Sequence, residues 1–454
     1  MTTPAARLRS AGMSERESLA KARLLERCVA ALGGSGSVAF FVPGRIEVLG
    51  KHTDYAGGRS LLCAVERGFV AVARPRADST VRVIDAVRGE TREAALDPEL
   101  AVPHADWASY VAASVRRVAR NFRRARRGAD IAIASDLPPA SGMSSSSALS
   151  TAVFLVLDAV NGLSSDPLYR EAITSREALA GYLGTIENGR SFGALAGDLG
   201  VGTFGGSEDH TAILCCASGK VSRYSFDPVR AEGEIPVPPT HTFVIAYSGI
   251  ASEKGSRAQA LYNELSLAVQ RIVAIWNAAT RRADHSLAVA IESAPDAPAR
   301  LRKMIRESTP GDFSPRRLVE RLDHFVTESC EIIPRAADAL ARGDMAGFGA
   351  LAEKSQRGAE LQLRNQVPET IALVQMARRE GADAASAFGA GFGGSVWALV
   401  AAADAGTFVK RWQAAYRADF AAAAEHVEII VTRAGPAAMA LWSTSKDEES
   451  ANVR

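Results

Sequence analysis

The chain has 454 residues, of which 47% are hydrophobic and 23% charged, and its formal net charge is +2 at pH 7. These values are typical of a soluble globular protein of two or three domains and exclude a disordered or fibrous class. The near-neutral charge argues against a dedicated polyanion binder, so we expect no nucleic-acid partner.

The cysteines and the amino-terminal residues indicate a cytoplasmic protein. Five cysteines are scattered without metal-ligand spacing, and an odd number is typical of free thiols in a reducing compartment. The opening residues, MTTPAARLRSAGMSERES, lack the apolar core of a signal peptide. The longest apolar window, VWALVAAA at 396–403, is too short to span a bilayer, so we predict no membrane insertion.

The amino-terminal part predicts a helix followed by a sheet. Apolar spacing over 16–32 is typical of a helix that ends at GGSGS, and VAFFV then predicts a strand. The strand leads into PGRIEVLGKHTDYAGG at 43–58, where an apolar run breaks at glycines and charged residues cluster. The next two segments, LLCAVERGFVAVARPR and STVRVIDA, are rich in β-branched residues and predict further strands.

The arginine-rich segment RRVARNFRRARR at 116–127 has two interpretations. Its seven arginines could form a nucleic-acid patch. Apolar residues from Val111 to Phe122 fall at helical spacing on the other side, which favours the solvated face of an amphipathic helix. We therefore expect these arginines to face solvent.

A strand at 130–135, a loop of prolines, serines and glycine, and a long apolar helix beginning near Ser146 form the next predicted unit. Small residues let the backbone approach a ligand, and the unpaired N–H groups of a helix start favour an anion. Serine hydroxyls add donors for phosphate oxygens and a ligand for Mg²⁺. An ordinary serine-capped helix is the alternative. The sequence contains no GxxxxGK[ST] motif, so a phosphate site here is of another kind.

Two downstream carboxylates are candidates for chemistry. Asp209 follows the glycine turn of GTFGGSEDHT and precedes a probable strand, where it could accept a proton from an attacking hydroxyl. Simple turn chemistry is the alternative for this residue. Glu187 ends a helical stretch and could reach a metal, although a surface glutamate is the simpler interpretation when it is taken alone.

A proline-rich connector, EGEIPVPPTHTFVIAYSG, predicts a boundary near residue 236 and therefore domains of 1–235 and 236–454. The second part is mostly helical from 256 to 380, followed by a glycine turn and strand in AFGAGFGGSVWALVAA and by a closing strand near 426–435. The pattern GxGxxG matches at 389–394 but precedes a strand, which argues against a dinucleotide site. Its glycines indicate close approach of a ligand or a neighbouring loop.

Three segments, in this order, resemble the signature motifs of the GHMP small-molecule kinases. GRIEVLGKHTDYAGG is similar to the galactokinase signature GRxNxIGEHTDYxxG, PPASGMSSSSA to the second motif PxxxGLSSSA, and GAGFGGSVWAL to the third. ADWASYVAASV at 105–115 is similar to the tryptophan-bearing helix start of galactokinases. The resemblance implies an α/β (α+β) fold of two domains, an N-terminal ribosomal-protein-S5-like domain and a C-terminal ferredoxin-like α/β domain.

The resemblance also implies an ATP-dependent kinase that uses Mg²⁺ and acts on a hydroxyl of a small-molecule sugar. Asp209 would be the catalytic base, and Arg45 would stabilise the transferred charge and contact the substrate. Ser146 and Glu187 would bind the metal ion. The nucleotide-binding residues that it implies are Trp107, Ser141, Gly142, Met143, Ser144, Ser145, Ser146 and Ser147.

The first motif would hold the sugar. His52 and Asp54 stand where galactokinases hydrogen-bond ring hydroxyls, and Tyr262 occupies the place of a substrate-contacting tyrosine. Lys51 replaces a glutamate that contacts the far end of the sugar, and Glu47 replaces the usual asparagine. An ammonium group there favours an anionic substituent, as on a uronic acid, unless Lys51 pairs with Glu47 and the pocket is rebuilt.

The resemblance favours transfer to the anomeric C1 hydroxyl of galactose or of a related sugar such as a uronic acid. An insertion between Glu187 and Asp209, relative to galactokinases, weakens the metal assignment. Two alternatives stay open, a non-sugar GHMP kinase of the homoserine or mevalonate type and a catalytically inactive sugar-sensing homologue. The partners expected are the sugar and ATP, and the chain could be a monomer or a homodimer.

Overall fold

The structure is a computed structural model that describes residues 3–103, 106–138, 141–251, 256–309 and 311–443. Two β-sheets carry helices on their faces, so the fold is the predicted mixed α/β class. Within the described residues, no helix combines the length and the apolar character needed to cross a membrane.

The first part of the chain alternates between a large sheet and its covering helices. The predicted helix over 16–32 is present as an 18-residue helix that ends at the left-handed Gly33. The elements in chain order are α1 (Pro4–Ser10), α2 (Glu15–Leu32), β1 (Val38–Leu49), β2 (Arg59–Pro75), β3 (Thr80–Asp85), β4 (Thr91–Ala95), α3 (Ala108–Asn121), β5 (Ala129–Ser135), α4 (Ser145–Asn161), α5 (Pro167–Ala172), α6 (Arg176–Asn188), α7 (Glu208–Cys215), β6 (Lys220–Ser225) and β7 (Arg230–Pro236).

The second part contains a smaller sheet and most of the remaining helices. Two short stretches, Thr327–Ile332 and Ala359–Leu363, adopt π-helical geometry at the ends of longer helices. The elements are β8 (His241–Tyr247), α8 (Ser256–Thr280), α9 (Leu287–Glu292), α10 (Ala297–Glu307), α11 (Pro315–Val326), α12 (Ile333–Ala341), α13 (Met345–Gly358), α14 (Pro368–Arg379), β9 (Ala384–Ala387), β10 (Ser395–Ala401), α15 (Ala405–Asp419), α16 (Ala421–Ala424), β11 (Glu428–Thr432) and β12 (Met439–Ser443).

Two sheets organise these elements. The first has the order β12-β1-β2-β5-β3-β4, with β6 paired to β2 and β7 paired to β6. Its strands pair antiparallel except β3 with β5, which run parallel. The second sheet has the antiparallel order β11-β8-β10-β9. The sheets divide near the predicted boundary, because β7 ends at Pro236 and β8 begins at His241, but the closing strand β12 returns to the first sheet.

The central strands of the first sheet are buried on both faces, as the alternation along β2 illustrates. Ala71 and Ala73 pack in the core shared with α3, α4 and α6, whereas Val70 and Val72 pack in the core shared with α1 and α2. Successive residues of a strand point to opposite faces, so an unbroken apolar run is what a doubly covered strand requires. This packing fixes β1, the strand that carries the first motif into the site.

Candidate active site

A cleft of about 1810 Å³ is lined by residues from both parts of the chain. The three sequence motifs meet there, since Arg45 comes from the first, Ser144 from the second and Phe392 from the third. Other walls are formed by the start of α3, by residues 198–202 and by the start of α8. The cleft is large enough for a nucleotide and a small second substrate together.

The serine-rich loop between β5 and α4 forms one wall of the cleft. Ser144 precedes the helix with a left-handed backbone (φ 59°), and α4 begins at Ser145, one residue before the predicted start. The unpaired N–H groups of this helix start lie at the cleft, which favours an anion. Of the predicted nucleotide residues in this loop, Gly142, Ser144, Ser145 and Ser146 line the cleft, whereas the buried Ser141, Met143 and Ser147 do not.

Arg45 and Asp209 form an ion pair at the cleft. The Nε of Arg45 donates to Oδ1 of Asp209 at 2.8 Å, and its Nη1 donates to the carbonyl of Gly142 at 2.6 Å. The side chain of Arg45 is buried, which alone would lower its pKa, but Asp209, Glu208 and Glu47 raise the pKa above its ordinary value. Arg45 therefore stays charged and ties the base candidate to the serine loop.

The prediction of a strand directly after Asp209 is wrong. Residues 208–215 form α7, and Asp209 lies in its first turn. Helix α7 packs against α6 and α4, and acidic residues stabilise a helix start through its dipole. The carboxylate is consequently held on a rigid element and not on a free turn.

Glu187, at the carboxyl end of α6, reaches the same place. Its Oε1 accepts a hydrogen bond from the Oγ of Ser147 at 2.7 Å, and that hydroxyl lies 3.4 Å from Oδ2 of Asp209. His210 Nε2 lies 3.6 Å from Oε1 of Glu187. The helical phase of α4 thus turns Ser147, and not the predicted Ser146, toward Glu187. Two carboxylates and a hydroxyl are oxygen donors that suit Mg²⁺, which normally completes its shell with water and phosphate oxygens.

The inserted segment between α6 and α7 is attached to the rest of the protein by buried arginines. Arg117 donates to three main-chain carbonyls at 2.6–3.0 Å and to Asp198 at 3.4 Å. Arg116 donates to the other oxygen of Asp198 at 3.0 Å. The interpretation of 116–127 as a solvated arginine face is therefore wrong for these two residues, because the insertion supplies acceptors that cover them.

Helix α8 holds the insertion from its other side. Gln259 donates to the carbonyl of Val201 at 3.2 Å, and Asn263 donates to the carbonyl of Gly202 at 2.9 Å. The insertion thereby becomes part of the cleft wall, with the exposed Leu199 at its rim. It does not separate Glu187 from Asp209, which was the concern raised by the sequence.

Trp107 stands at the edge of the cleft, immediately before α3. Its indole Nε1 donates to Glu90 at 3.1 Å, and the guanidinium of Arg92 lies 5.0 Å from the centre of its ring. These contacts hold the ring in one orientation, and a fixed aromatic face is suited to stacking with a planar base.

The residues of the HTDY segment lie beside the start of α7, where Asp54 contacts Glu208. The ring of His52 lies 4.9 Å from that of Tyr262, and its Nδ1 is 2.9 Å from the hydroxyl of Tyr55. Burial, followed by the charge of Arg321, lowers the pKa of His52 to about 3. Burial raises the pKa of Asp54 to about 6, and its Oδ2 accepts from the amide of Glu208 at 3.3 Å.

The side chain of Lys51 points in a direction that the sequence did not predict. Its side chain is fully buried, and its Nζ donates to Ser355 at 3.2 Å and to Ser386 at 2.7 Å, away from the large cleft. No ion pair with Glu47 occurs within the described residues. Glu47 instead lies near Glu208, whose pKa is raised by burial and then by the charge of Glu47. The raised pKa of Glu208 favours its neutral form, which reduces the repulsion between the two carboxyl groups.

Two residues near this motif were missed. Arg321 and His324, on α11, are fully buried, and Nη2 of Arg321 donates to the carbonyl of His52 at 2.5 Å and to the hydroxyl of Tyr55 at 3.2 Å. A sequence signal existed, because Arg321 falls in helical phase with the apolar Leu318 and is thus predicted to lie on the buried face.

Comparisons with known proteins agree with the motifs. Residues 29–75 match the family model "Galactokinase galactose-binding signature", residues 109–188 match "GHMP kinases N terminal domain" and residues 336–418 match "GHMP kinases C terminal". A galactokinase of Chloroflexus aggregans is 28% identical over 379 residues, which cover 82% of this chain and 86% of the relative. A galactokinase of Exiguobacterium sibiricum is 28% identical over 399 residues, covering 85% and 90%.

Solved structures give the same fold. The Lactococcus lactis galactokinase complexed with galactose superposes with a TM-score of 0.71 at 23% identity, over 93% of this chain and 99% of that one. The Streptococcus pneumoniae phosphomevalonate kinase in complex with phosphomevalonate and AMPPNP gives a TM-score of 0.54 at 15% identity, over 87% and 99%.

Proposed function

Because this chain belongs to the GHMP kinases, in their galactokinase-like branch, we propose that it transfers the γ-phosphoryl group of ATP to a hydroxyl of a monosaccharide. The observation that carries the proposal is the ion pair between Arg45 and Asp209 beside the serine loop. This ion pair places a proton acceptor and a positive charge beside a helix start, where phosphate binding is favoured.

The nucleotide occupies the large cleft with its phosphates at the start of α4. Ser144, Ser145 and Ser146 line that volume, and the unpaired backbone N–H groups of the helix start can donate to phosphate oxygens. Trp107 provides an aromatic face for the base at the opposite end. Positioning and charge neutralisation supply most of the catalysis in phosphoryl transfer, so a rigid cradle is what this reaction needs.

The chemical step is a single displacement. The acceptor oxygen attacks the γ-phosphorus, its proton passes to the carboxylate of Asp209, and the bond from the γ-phosphorus to the bridging oxygen breaks to release ADP. Arg45 contacts Asp209 directly and places a permanent positive charge where negative charge moves between the substrates. Helix α7 fixes the carboxylate, so the acceptor hydroxyl meets it in one orientation.

The donor set of Glu187, Ser147 and Asp209 fits Mg²⁺. When bound, the ion would neutralise charge on the β- and γ-phosphates. Glu187 and the hydroxyl of Ser147 would hold it, and Asp209 would lie beside it. This assignment replaces Ser146 with its neighbour in the chain.

We propose that the acceptor is the anomeric C1 hydroxyl of galactose or of a related sugar such as a uronic acid. Asp54 and His52 lie beside the start of α7, where they can hydrogen-bond the ring hydroxyls, and Tyr262 closes the pocket against His52. A buried carboxylate facing vicinal hydroxyls discriminates sugar stereochemistry, because a wrong hydroxyl leaves a polar group unpaired.

Release of ADP with a panel of monosaccharides, homoserine and mevalonate tests the proposal. We expect ATP- and Mg²⁺-dependent turnover with a sugar and a loss of about 10²–10⁴-fold in kcat for Asp209→Asn. Turnover only with homoserine or mevalonate would refute the sugar assignment. Sugar binding without turnover by any compound would instead support a sensor that has lost catalysis.

A further inference from the structure

The most exposed large apolar side chain in the described part of the chain lies at the rim of the cleft. Leu199 is 83% exposed, whereas the other large apolar side chains that are exposed there have values of 38–59%. It belongs to the segment inserted between α6 and α7, and it lines the cleft. A single exposed leucine is common on protein surfaces, so the way in which this one is held decides whether it has a role.

The main chain on both sides of this leucine is fixed. The amide of Asp198 donates to the carbonyl of Gly189 at 2.9 Å, and the amide of Val201 donates to the carbonyl of Glu187 at 2.9 Å. Gly200 has a left-handed backbone, and a Cβ at this position would lie 2.3 Å from the carbonyl of Glu187. The leucine is therefore carried by a loop that is already ordered and tightly packed against the end of α6.

Arg116 connects this loop to a second part of the cleft wall. Its Nε donates to Asp198 at 3.0 Å, and its Nη2 donates to the carbonyl of Gly200 at 3.4 Å. Its Nη1 donates to the carbonyl of Leu100 at 3.3 Å. One guanidinium group thus contacts both neighbours of Leu199 in the chain and also Leu100, which brings the two leucines together in the wall of the cleft.

This part of the wall is apolar and belongs to the end of the cleft that contains Trp107. Leu100, Val102 and Tyr110 line the cleft there and pack against the core of the first sheet. Arg116 follows Trp107 by nine residues, a rise of about 14 Å along α3, and helical side chains point back toward the amino terminus. Leu199 and Trp107 consequently border the same end of the cleft.

We propose that Leu199 packs against the nucleoside part of ATP, so that the inserted segment and Trp107 together form an apolar site for the base. This inference rests on the proposed function and adds a residue from a segment that is inserted relative to galactokinases. The faces of a purine are apolar enough to remove a leucine side chain from water without a hydrogen bond. Because the loop is ordered beforehand, little of this gain is lost in fixing it when the nucleotide binds.

The test compares wild type with Leu199→Ser and with the conservative variant Leu199→Met. Leu199→Ser should raise about tenfold both the Kd for ATP, measured by isothermal titration calorimetry, and the KM for ATP, the value of burying part of a leucine side chain. The kcat and the KM for the sugar should stay within about twofold, and Leu199→Met should restore most of the affinity for ATP.

Inorganic tripolyphosphate separates a contact with the base from a disturbance of the loop, because it has phosphates but no base. Its Ki as a competitor of ATP should be the same within about twofold for wild type and Leu199→Ser. The Tm of Leu199→Ser should change by less than about 1 °C, since the side chain is exposed in the free protein.

Leu168→Ser is the matched control, because Leu168 is also exposed but does not line the cleft. It should leave the Kd and the KM for ATP unchanged. Equal affinity of wild type and Leu199→Ser for ATP would overturn the inference while sparing the proposed kinase. An equal rise in the Ki of tripolyphosphate, or a clear fall in Tm, would reveal a structural role and would overturn it as well. Failure of wild type to bind ATP and to turn over any sugar would instead refute the proposed function.

Discussion

Replacing Arg117 with methionine should loosen the inserted segment and impair ATP binding. Methionine retains much of the apolar stem but removes hydrogen bonds to three carbonyls and to Asp198. Removing one partner from a buried ionic network typically costs about 3–5 kcal/mol, because the remaining groups stay buried and unpaired. At roughly 2.1 cal/mol/K of unfolding entropy per residue, that loss lowers the Tm of a 454-residue chain by about 3–5 °C.

The same substitution should weaken the binding of ATP and leave the binding of the sugar nearly unchanged. Asp198 and residues 199–202 line the cleft, and the network of Arg117 determines where they lie. We expect the KM for ATP to rise about tenfold, the equivalent of one lost contact of roughly 1.4 kcal/mol. The KM for the sugar should stay within twofold, because the sugar residues lie beside the start of α7.

Thermal unfolding and steady-state kinetics measure the two effects. Arg124→Met is the control, since Arg124 belongs to the same arginine-rich segment but is exposed. It should change the Tm by less than 1 °C, as expected for a surface substitution of under about 0.5 kcal/mol. Equal and small effects for both variants would refute the role assigned to Arg117.

Three further predictions follow from the site. Burial raises the pKa of Asp54 to about 6, so its carboxylate is protonated as the pH falls through that value. Below pH 6, kcat/KM for the sugar should therefore drop about tenfold per pH unit, and Asp54→Asn should flatten this acidic limb of the pH profile. Glu187→Gln should raise the Mg²⁺ concentration for half-maximal velocity at least tenfold, whereas the exposed Glu171→Gln should leave it unchanged. Trp107→Leu should raise the KM for ATP about tenfold through lost stacking, and an unchanged KM would contradict its place beside the base.

Much of the fold could be predicted from local pattern. The helix over 15–32, the strand and helix around the serine loop and the glycine turn before β10 all follow from periodicity and from turn-forming residues, which act over short distances. The proximity of Arg45, Ser144 and Asp209 was predicted only from the resemblance to a family. Composition and spacing do not determine such long-range contacts, so this part of the site could not be predicted without the resemblance to a family.

The remaining features depend on contacts that only the folded chain creates. Arg117 is buried because carbonyls more than sixty positions downstream fold over it, and helical spacing cannot register them. Lys51 turns toward Ser355 and Ser386, which are contributed by the second part of the chain. For α7, packing against α6 and α4 stabilises a helix where the sequence predicted a strand. In each case a tertiary neighbour reverses the local preference.

A crystal structure with a non-hydrolysable ATP analogue and the preferred sugar tests the central claim most directly. We expect the γ-phosphate at the start of α4, within hydrogen-bond distance of Ser144–Ser146, and the acceptor hydroxyl within about 3 Å of the carboxylate of Asp209. A nucleotide bound elsewhere, or an acceptor hydroxyl that faces away from Asp209, would contradict the account.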